Sequence, residues 1–105
     1  MAQARALRLS STDNVAVCTV TVQTGDEVWV KDPDGARFLI VATSDIAYCN
    51  KIALKDIRSG EEVRKYGEII GRASADIPKG SLANDRNIAS QPRSYAEEYL
   101  LSSEI

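Results

Sequence analysis

Acidic side chains beside predicted turns are the first residues whose chemistry could define a function. Asp45, Asp56 and Asp76 each precede an isoleucine at a turn, and three carboxylates together could ligate a metal ion. Aspartate at such a position more often accepts hydrogen bonds from the backbone of its own turn. Because the three residues form no tight cluster in the sequence, we expect turn caps here and no metal site.

The chain has no histidine and only two cysteines, Cys18 and Cys49. The lack of histidine excludes histidine-based zinc sites and Ser-His-Asp or Cys-His catalysis built from this chain alone. A chain of this length can form a core without disulfides, so we expect reduced thiols. Cys49 could be reactive, but nothing beside it in the sequence would activate it, which favours an ordinary turn residue. If the protein is part of an enzyme, we expect the catalytic residues to lie outside this chain.

Residue patterns up to about position 90 predict short β-strands. Residues 13–22 alternate apolar with small or polar side chains and are rich in β-branched residues, which favours a strand. The alternation slips between Val17 and Val20, which indicates a bulge or a bend where the strand changes partner. Further short strands, each closed by a glycine or a polar turn, are predicted at 51–54, 62–66 and 68–73.

The clearest hairpin joins residues 27–31 to residues 37–41. Its connection, Asp-Pro-Asp-Gly at 32–35, contains a proline that presets φ and a glycine that supplies a positive φ. Trp29 in this hairpin is expected to anchor the core or a sheet face, because no other aromatic residue flanks it.

An internal repeat becomes visible when the glycines are aligned. Residues 22–28, 57–63 and 77–83 share a β-branched residue, two turn residues, a glycine, two more residues and a small or β-branched residue. Each copy is predicted to end one strand, turn at the glycine and begin the next strand. Residues 45–49 resemble a fourth copy with Cys49 at the glycine position.

The last stretch differs from the rest. A capping-box spacing at 94–97 ahead of apolar residues predicts a short C-terminal helix, which could cover its own sheet or dock on another subunit. We therefore divide the chain into a lead-in at 1–12, a β domain at 13–90 and a C-terminal helix or linker at 91–105.

Length and charge narrow the function classes further. The 105 residues suffice for one domain. The net charge is −2 and the basic residues are scattered, so nucleic acid is not an expected partner. No apolar run is long enough to span a bilayer, and residues 1–10 lack the apolar middle of a secretory signal. We expect a cytoplasmic protein.

Five segments together resemble one known family: 13–17, 51–57, 60–61, 65–73 and 76–81, of which the last two give the pattern KYGxxIGxAxxDIPxG. From about residue 13 to residue 87, the chain resembles the SAF-type N-terminal module of the altronate and galactarate dehydratase family. It is also similar to the small subunit of sulfolactate sulfo-lyase. The resemblance implies a β-clip, so the expected fold class is mainly β, a SAF-type β-clip of short bent hairpins with a short C-terminal helix.

The resemblance also implies a function. Family enzymes remove water from sugar acids, or sulfite from sulfolactate, with a divalent metal, usually iron or manganese. This chain would be the small subunit or N-terminal domain of such a dehydratase, inactive alone, and would complete the active site of a larger metal-binding catalytic partner. No metal is expected on this chain itself. The alternative is a non-catalytic SAF-type carbohydrate-binding or assembly module, and exposed sheet edges are compatible with a homo-oligomer in either case.

Candidate site residues follow from the matched positions. Lys51 and Lys65 lie at positions matched in the family and, with Arg86, could hold an anionic sugar acid. Tyr66 could present a phenol near the bound carboxylate, although such a tyrosine more often packs locally.

The chain also departs from the family pattern. It has Cys-Asn-Lys at 49–51 where the family often has Gly-His-Lys, and Leu-Ala-Asn-Asp-Arg-Asn at 82–87 where the family often has His-x-His-x-His-Asn. Asn50 can hydrogen-bond a sugar hydroxyl, but it cannot bind a metal or shuttle a proton as imidazole does.

Overall fold

The computed structural model describes residues 5–89, and this part of the chain contains nine β-strands and no helix. The expected mainly β class is confirmed, whereas the helix predicted at 91–105 lies outside the described residues. Within residues 5–89 no helix is long and apolar enough to cross a membrane. The strands are β1 (Ala6–Leu7), β2 (Val15–Cys18), β3 (Glu27–Lys31), β4 (Arg37–Val41), β5 (Lys51–Ala53), β6 (Glu62–Lys65), β7 (Glu68–Ala73), β8 (Leu82–Ala83) and β9 (Ile88–Ala89).

The strands form two sheets. The larger sheet has the order β4-β3-β1-β2-β5-β8, and the smaller sheet has the order β6-β7-β9. β1 pairs antiparallel with β2 and parallel with β3, so part of the segment expected as a lead-in belongs to the larger sheet. β5 lies between β2 and β8, with Lys51 opposite both Val17 and Ala83.

The hairpin expected at 27–41 is confirmed. β3 and β4 pair in register from Glu27 opposite Val41 to Lys31 opposite Arg37. Gly35 has a φ of 90°, the left-handed conformation that its turn position requires. Trp29 is partly exposed and lies on the sheet face opposite the buried valines of β3, so it is not part of the core.

Four copies of an eight-residue unit form the turns expected from the repeat. The units span residues 18–25, 42–49, 53–60 and 73–80, each with an alanine or cysteine first, a valine or isoleucine fifth and a glycine or cysteine last. The first two units pair with each other, and so do the last two, through β-bridges at their fifth positions. In all four, the last N–H donates to the first carbonyl of the paired unit at 2.7–2.9 Å. Cys49 has a φ of 71° and fills the glycine position, as the sequence predicts.

The three turn aspartates cap the paired turn and not their own, which corrects the expectation from sequence. Asp45, Asp56 and Asp76 each accept a backbone N–H of the partner unit at 2.8 Å. The bridge joins the two turns one residue after each carboxylate.

Two apolar clusters form the core, one around each pair of turns. The first contains Val28, Val30 and Ile46. The second contains Val63 and Ile77.

The bend predicted between Val17 and Val20 is present. β2 ends at Cys18, and the chain leaves the sheet before Val22 bridges to Ile46.

Candidate functional site

Two lysines from different sheets lie close enough to repel each other. Lys51 is the first residue of β5 in the larger sheet, and Lys65 is the last residue of β6 in the smaller sheet. Both are partly buried. Burial and the nearby Lys65 ammonium lower the pKa of Lys51 below 10.5, and the carboxylate of Asp85 opposes this shift. The structure thus brings together two of the residues predicted from sequence.

Neither lysine has an ion-pair partner among residues 5–89. Four other basic side chains in this range do form ion pairs, for example Arg8 with Asp32 at 3.2 Å and Lys55 with Glu61 at 3.6 Å. The lysine pair therefore carries positive charge that no ion pair neutralises and that the nearby Asp85 offsets only in part, and an anion can neutralise the remainder.

Lys51 lines a cleft of about 370 Å³ between the two sheets. The other lining residues come from β7 and from the segment after β8, and they are Ile70, Asn84, Asp85, Ile88 and Ala89. The cleft thus combines a cation, an amide and a carboxylate with an apolar wall. This composition suits a small ligand that carries both an anionic group and hydroxyls.

A tight turn shapes the far side of this cleft. The backbone N–H of Asn84 donates to Asn87 Oδ1 at 2.8 Å, and Asn84 Oδ1 accepts the N–H of Arg86 at 3.0 Å. Asn87 Nδ2 also donates to the carbonyl of Leu82 at 2.7 Å. Within residues 5–89 the Nδ2 group of Asn84 has no hydrogen-bond acceptor, so it can donate to a ligand.

The remaining candidates occupy other positions. Arg86 is exposed and does not line the cleft, although its turn borders it. Asn50 is partly buried, and its backbone carbonyl accepts the N–H of Cys18 at 2.8 Å.

Tyr66 is 72% exposed and lines a different cleft of about 590 Å³, together with Ser10, Asp32 and Asp34. The acidic lining does not favour a carboxylate beside the Tyr66 phenol.

The buried residue Asp13 holds the turn that follows Lys65. Asp13 is 3% exposed, and its carboxylate accepts N–H groups from Ser10 at 3.0 Å and from Tyr66 and Gly67 at 2.8 Å each. Tyr66 has a φ of 60°, which is costly for a residue other than glycine, and the hydrogen bond to Asp13 helps to hold it there. The neighbouring Asn14 accepts the N–H of Arg64 at 2.8 Å and donates to the carbonyl of Glu62 at 2.8 Å. Asp13 and Asn14 therefore clamp β6 to the start of β2.

The two thiols are in contrasting surroundings. Cys18 is fully buried in the first apolar cluster, and burial raises its pKa to about 11. Cys49 is exposed at the turn before Lys51. Among the described residues, no group of three or more histidine, cysteine, aspartate or glutamate side chains could hold a metal ion.

Sequence reasoning missed three residues that shape this region. From sequence, Asn84 stands only at a position where the family often has histidine, Asp85 has no assigned role, and Asp13 only begins a predicted strand. The adjacent Asp13-Asn14 pair, two local hydrogen-bonding residues ahead of a β-branched run, was the signal available. No local pattern indicated that their partners lie about 50 residues away.

Comparisons with known proteins find a matching family model and several relatives. A family model described as the altronate/galactarate dehydratase SAF domain matches residues 4–91. Galactarate dehydratase (L-threo-forming) from Escherichia coli (strain K12) is 35% identical over 79 residues, which is 75% of this chain and 14% of the enzyme. Altronate dehydratase from the same organism is 38% identical over 81 residues, which is 77% of this chain and 15% of the enzyme.

A third relative is much shorter. The (2R)-sulfolactate sulfo-lyase subunit alpha from Paracoccus pantotrophus is 35% identical over 54 residues, which is 51% of this chain and 81% of the subunit. The chain therefore spans a small part of the two dehydratases but corresponds to most of a separate enzyme subunit.

Proposed function

The chain belongs to the altronate/galactarate dehydratase SAF domain family, and on that premise we propose that it completes the active site of a larger sugar-acid lyase. In this proposal it is a small subunit or an N-terminal domain, and a larger region carries most of the catalytic groups. The lengths of the relatives support both arrangements, because the matching segment is part of two long dehydratases and most of one short subunit.

The unpaired lysines carry this proposal. Lys51 and Lys65 hold like charges near each other beside a cleft, and the pKa of Lys51 is lowered by burial and by that repulsion. A titratable group with a perturbed pKa in a cleft is typical of a functional site. A bound carboxylate would relieve the repulsion and satisfy both ammonium groups, and a sugar acid supplies such a carboxylate.

The proposed role is to bind the substrate carboxylate and stabilise charge that develops on it. Loss of water from a sugar acid removes a proton from the carbon next to the carboxylate and hydroxide from the following carbon. Negative charge then spreads onto the carboxylate, where Lys51 and Lys65 would stabilise it. The Nδ2 group of Asn84 would donate to a carboxylate or hydroxyl oxygen in the same cleft.

The described residues do not fit a divalent metal, because they contain no cluster of three suitable ligands. The iron or manganese expected from the resemblance is therefore assigned to the larger region, and no step of this chain's role passes through it. The base that removes the proton is also assigned to that region. The isolated chain is thus expected to be inactive as a lyase.

Reconstitution tests the proposal. The chain is used to purify its binding partner, and the mixture is assayed for dehydration of altronate and galactarate and for sulfite release from sulfolactate. We expect activity from the mixture and none from this chain alone. Lyase activity of the isolated chain, or a purified partner that is fully active without it, would refute the proposed role.

Lysine variants test the site itself. Lys51→Met and Lys65→Met should each weaken sugar-acid binding to the complex by about tenfold, the loss expected for one charge-assisted contact. Lys31→Met is the matched control, because it removes the same charge from an exposed position on β3. Since only the ammonium form binds a carboxylate, affinity should fall as the pH rises through the lowered pKa of Lys51, below the 10.5 of an ordinary lysine. Equal effects of all three variants would exclude a specific role for the pair.

A second candidate is a non-catalytic carbohydrate-binding module. The cleft beside the exposed ring of Tyr66 favours it, because its lining of serine and aspartate side chains could bind sugar hydroxyls. Binding of neutral sugars by the isolated chain, lost in Tyr66→Ala, together with no partner that gains activity, would support this candidate.

A further inference from the structure

Asp85 places a negative charge in the same cleft as Lys51. Both residues line the cleft, and the Asp85 carboxylate acts electrostatically on the Lys51 ammonium. The two side chains do not form an ion pair within 4 Å. Asp85 is exposed, and its carboxylate accepts no hydrogen bond from residues 5–89. Its charge therefore lies at the cleft and is not neutralised by an ion pair or hydrogen bond within residues 5–89.

The charges of this region match one substrate carboxylate. Lys51 and Asp85 line the cleft, and Lys65 acts on Lys51 without lining it; the three side chains together carry one net positive charge. One bound carboxylate neutralises it. A second carboxylate on the same ligand would find no remaining cation and would lie near Asp85, where like charges repel.

The lining of the rest of the cleft favours a carbon chain that carries hydroxyls. The Asp85 carboxylate can accept hydrogen bonds from hydroxyl groups, and the Asn84 Nδ2 group can donate to them. Ile70 and Ile88 supply an apolar wall for the carbon chain. Neither Arg86 nor Lys65 is part of the lining, but Lys65 acts electrostatically on Lys51, whereas Arg86 is exposed and is not among the groups that act on Lys51.

We propose that this site takes sugar acids with a single carboxylate and that Asp85 is a specificity-determining residue that disfavours dicarboxylates. This inference rests on the proposed function and names the substrate class of the same site. Altronate, with one carboxylate, represents the favoured class, and galactarate, with a carboxylate at each end, represents the disfavoured class.

The test compares Asp85→Asn with wild type in the reconstituted complex, using kcat/KM for altronate and for galactarate. The variant removes the charge and keeps the shape of the side chain. The kcat/KM for galactarate divided by the kcat/KM for altronate should therefore rise about fivefold. This factor corresponds to two unit charges about 4 Å apart in a water-like dielectric. Raising the salt concentration should reduce the difference, because exposed charges are screened.

Glu27→Gln is the matched control. Glu27 is exposed on β3, which is three strand positions from β5 in the larger sheet. This corresponds to about 14 Å, beyond the screening length of about 8 Å at physiological ionic strength. Glu27→Gln should leave the ratio unchanged, although it changes the net charge by the same amount.

A binding measurement separates failure of this inference from failure of the proposed function. Each acid is titrated into the full chain, and the amide signals of residues 51 and 84–85 are followed by NMR. If the complex acts on neither acid, the proposed function is refuted, and the change in relative affinity on Asp85→Asn decides the inference. If the complex is active but the ratio does not change in Asp85→Asn, the inference is refuted and the proposed function stands.

Discussion

Replacing Asp13 should destabilise the domain far more than replacing an exposed aspartate. Its carboxylate is buried and accepts three backbone N–H groups, from Ser10, Tyr66 and Gly67. A hydrogen bond to a charged group contributes about 1.5–3 kcal/mol. Water can reach some of these donors once the side chain is gone, because Tyr66 and Gly67 are exposed. We therefore expect Asp13→Ala to lower the free energy of unfolding by about 3 kcal/mol, less than the sum of three such bonds.

Urea unfolding followed by the fluorescence of Trp29, the only tryptophan in the chain, measures this difference. Asp34→Ala is the matched control, because Asp34 is exposed and accepts only the N–H of Ala36, at 2.9 Å. The control should lower the free energy of unfolding by about 0.5 kcal/mol at most, as is usual for surface substitutions. Asp13→Asn keeps one acceptor oxygen and should fall between the two. If the free energies of unfolding of Asp13→Ala and Asp34→Ala differ by less than about 1 kcal/mol, the contribution of a single hydrogen bond, the proposed clamp is wrong.

Two further predictions concern the cysteines and the turn units. Cys49→Gly should stabilise the protein by about 0.5–1 kcal/mol, because it relieves a non-glycine residue at a φ of 71°. Gly60 occupies the equivalent position, with open space around it and a φ of 89°, so Gly60→Ala should lower the free energy of unfolding by a similar amount. If both variants change the free energy of unfolding in the same direction, this account is wrong. The native protein should react with one equivalent of a thiol reagent, at exposed Cys49, and with two in urea, since Cys18 is buried with a pKa raised to about 11. Rapid modification of both thiols in the folded protein would show that Cys18 is accessible.

Local chemistry made part of the fold predictable. Proline and glycine in the 32–35 turn act within a few residues, so the β3–β4 hairpin followed from sequence. The glycine repeat likewise predicted Cys49 at a glycine position. The pairing of the turn units could not be predicted from sequence. A bridge such as Ile57 to Ile77 forms only because β6 and β7, which lie between these residues, bring them together in space. The two-residue strands β1, β8 and β9 are too short to show any alternation.

The site was predictable to a similar extent. Lys51 and Lys65 came from the family resemblance, and the structure places their charges close together. The resemblance could not show that Tyr66, the residue after Lys65, faces another cleft. Its positive φ turns the chain at this point, and a positive φ for a tyrosine has no sequence signature.

The two segments in which this chain departs from the family pattern are neighbours in space. Residues 49–51 and 82–87 are more than 30 positions apart in sequence, yet Lys51 of β5 lies opposite Ala83 of β8. Both segments therefore border the cleft that Lys51, Asn84 and Asp85 line. If, as the resemblance implies, histidines occupy these positions in the family, their replacement by Asn50, Leu82, Asn84 and Arg86 removes groups that can titrate near neutral pH from the surroundings of one cleft.

The clamp at Asp13 connects stability to this site. Lys65 belongs to the smaller sheet and Lys51 to the larger one, so their spacing depends on what joins the sheets. Asp13 precedes β2 and binds the N–H groups of the two residues that follow Lys65. A variant that loosens this turn should therefore move Lys65 away from Lys51 and let the pKa of Lys51 rise, because Lys65 is one cause of its lowering. Asp13→Asn should then weaken sugar-acid binding even where the protein remains folded, and an unchanged Lys51 pKa measured by NMR in that variant would show that the lysine pair is held by other contacts.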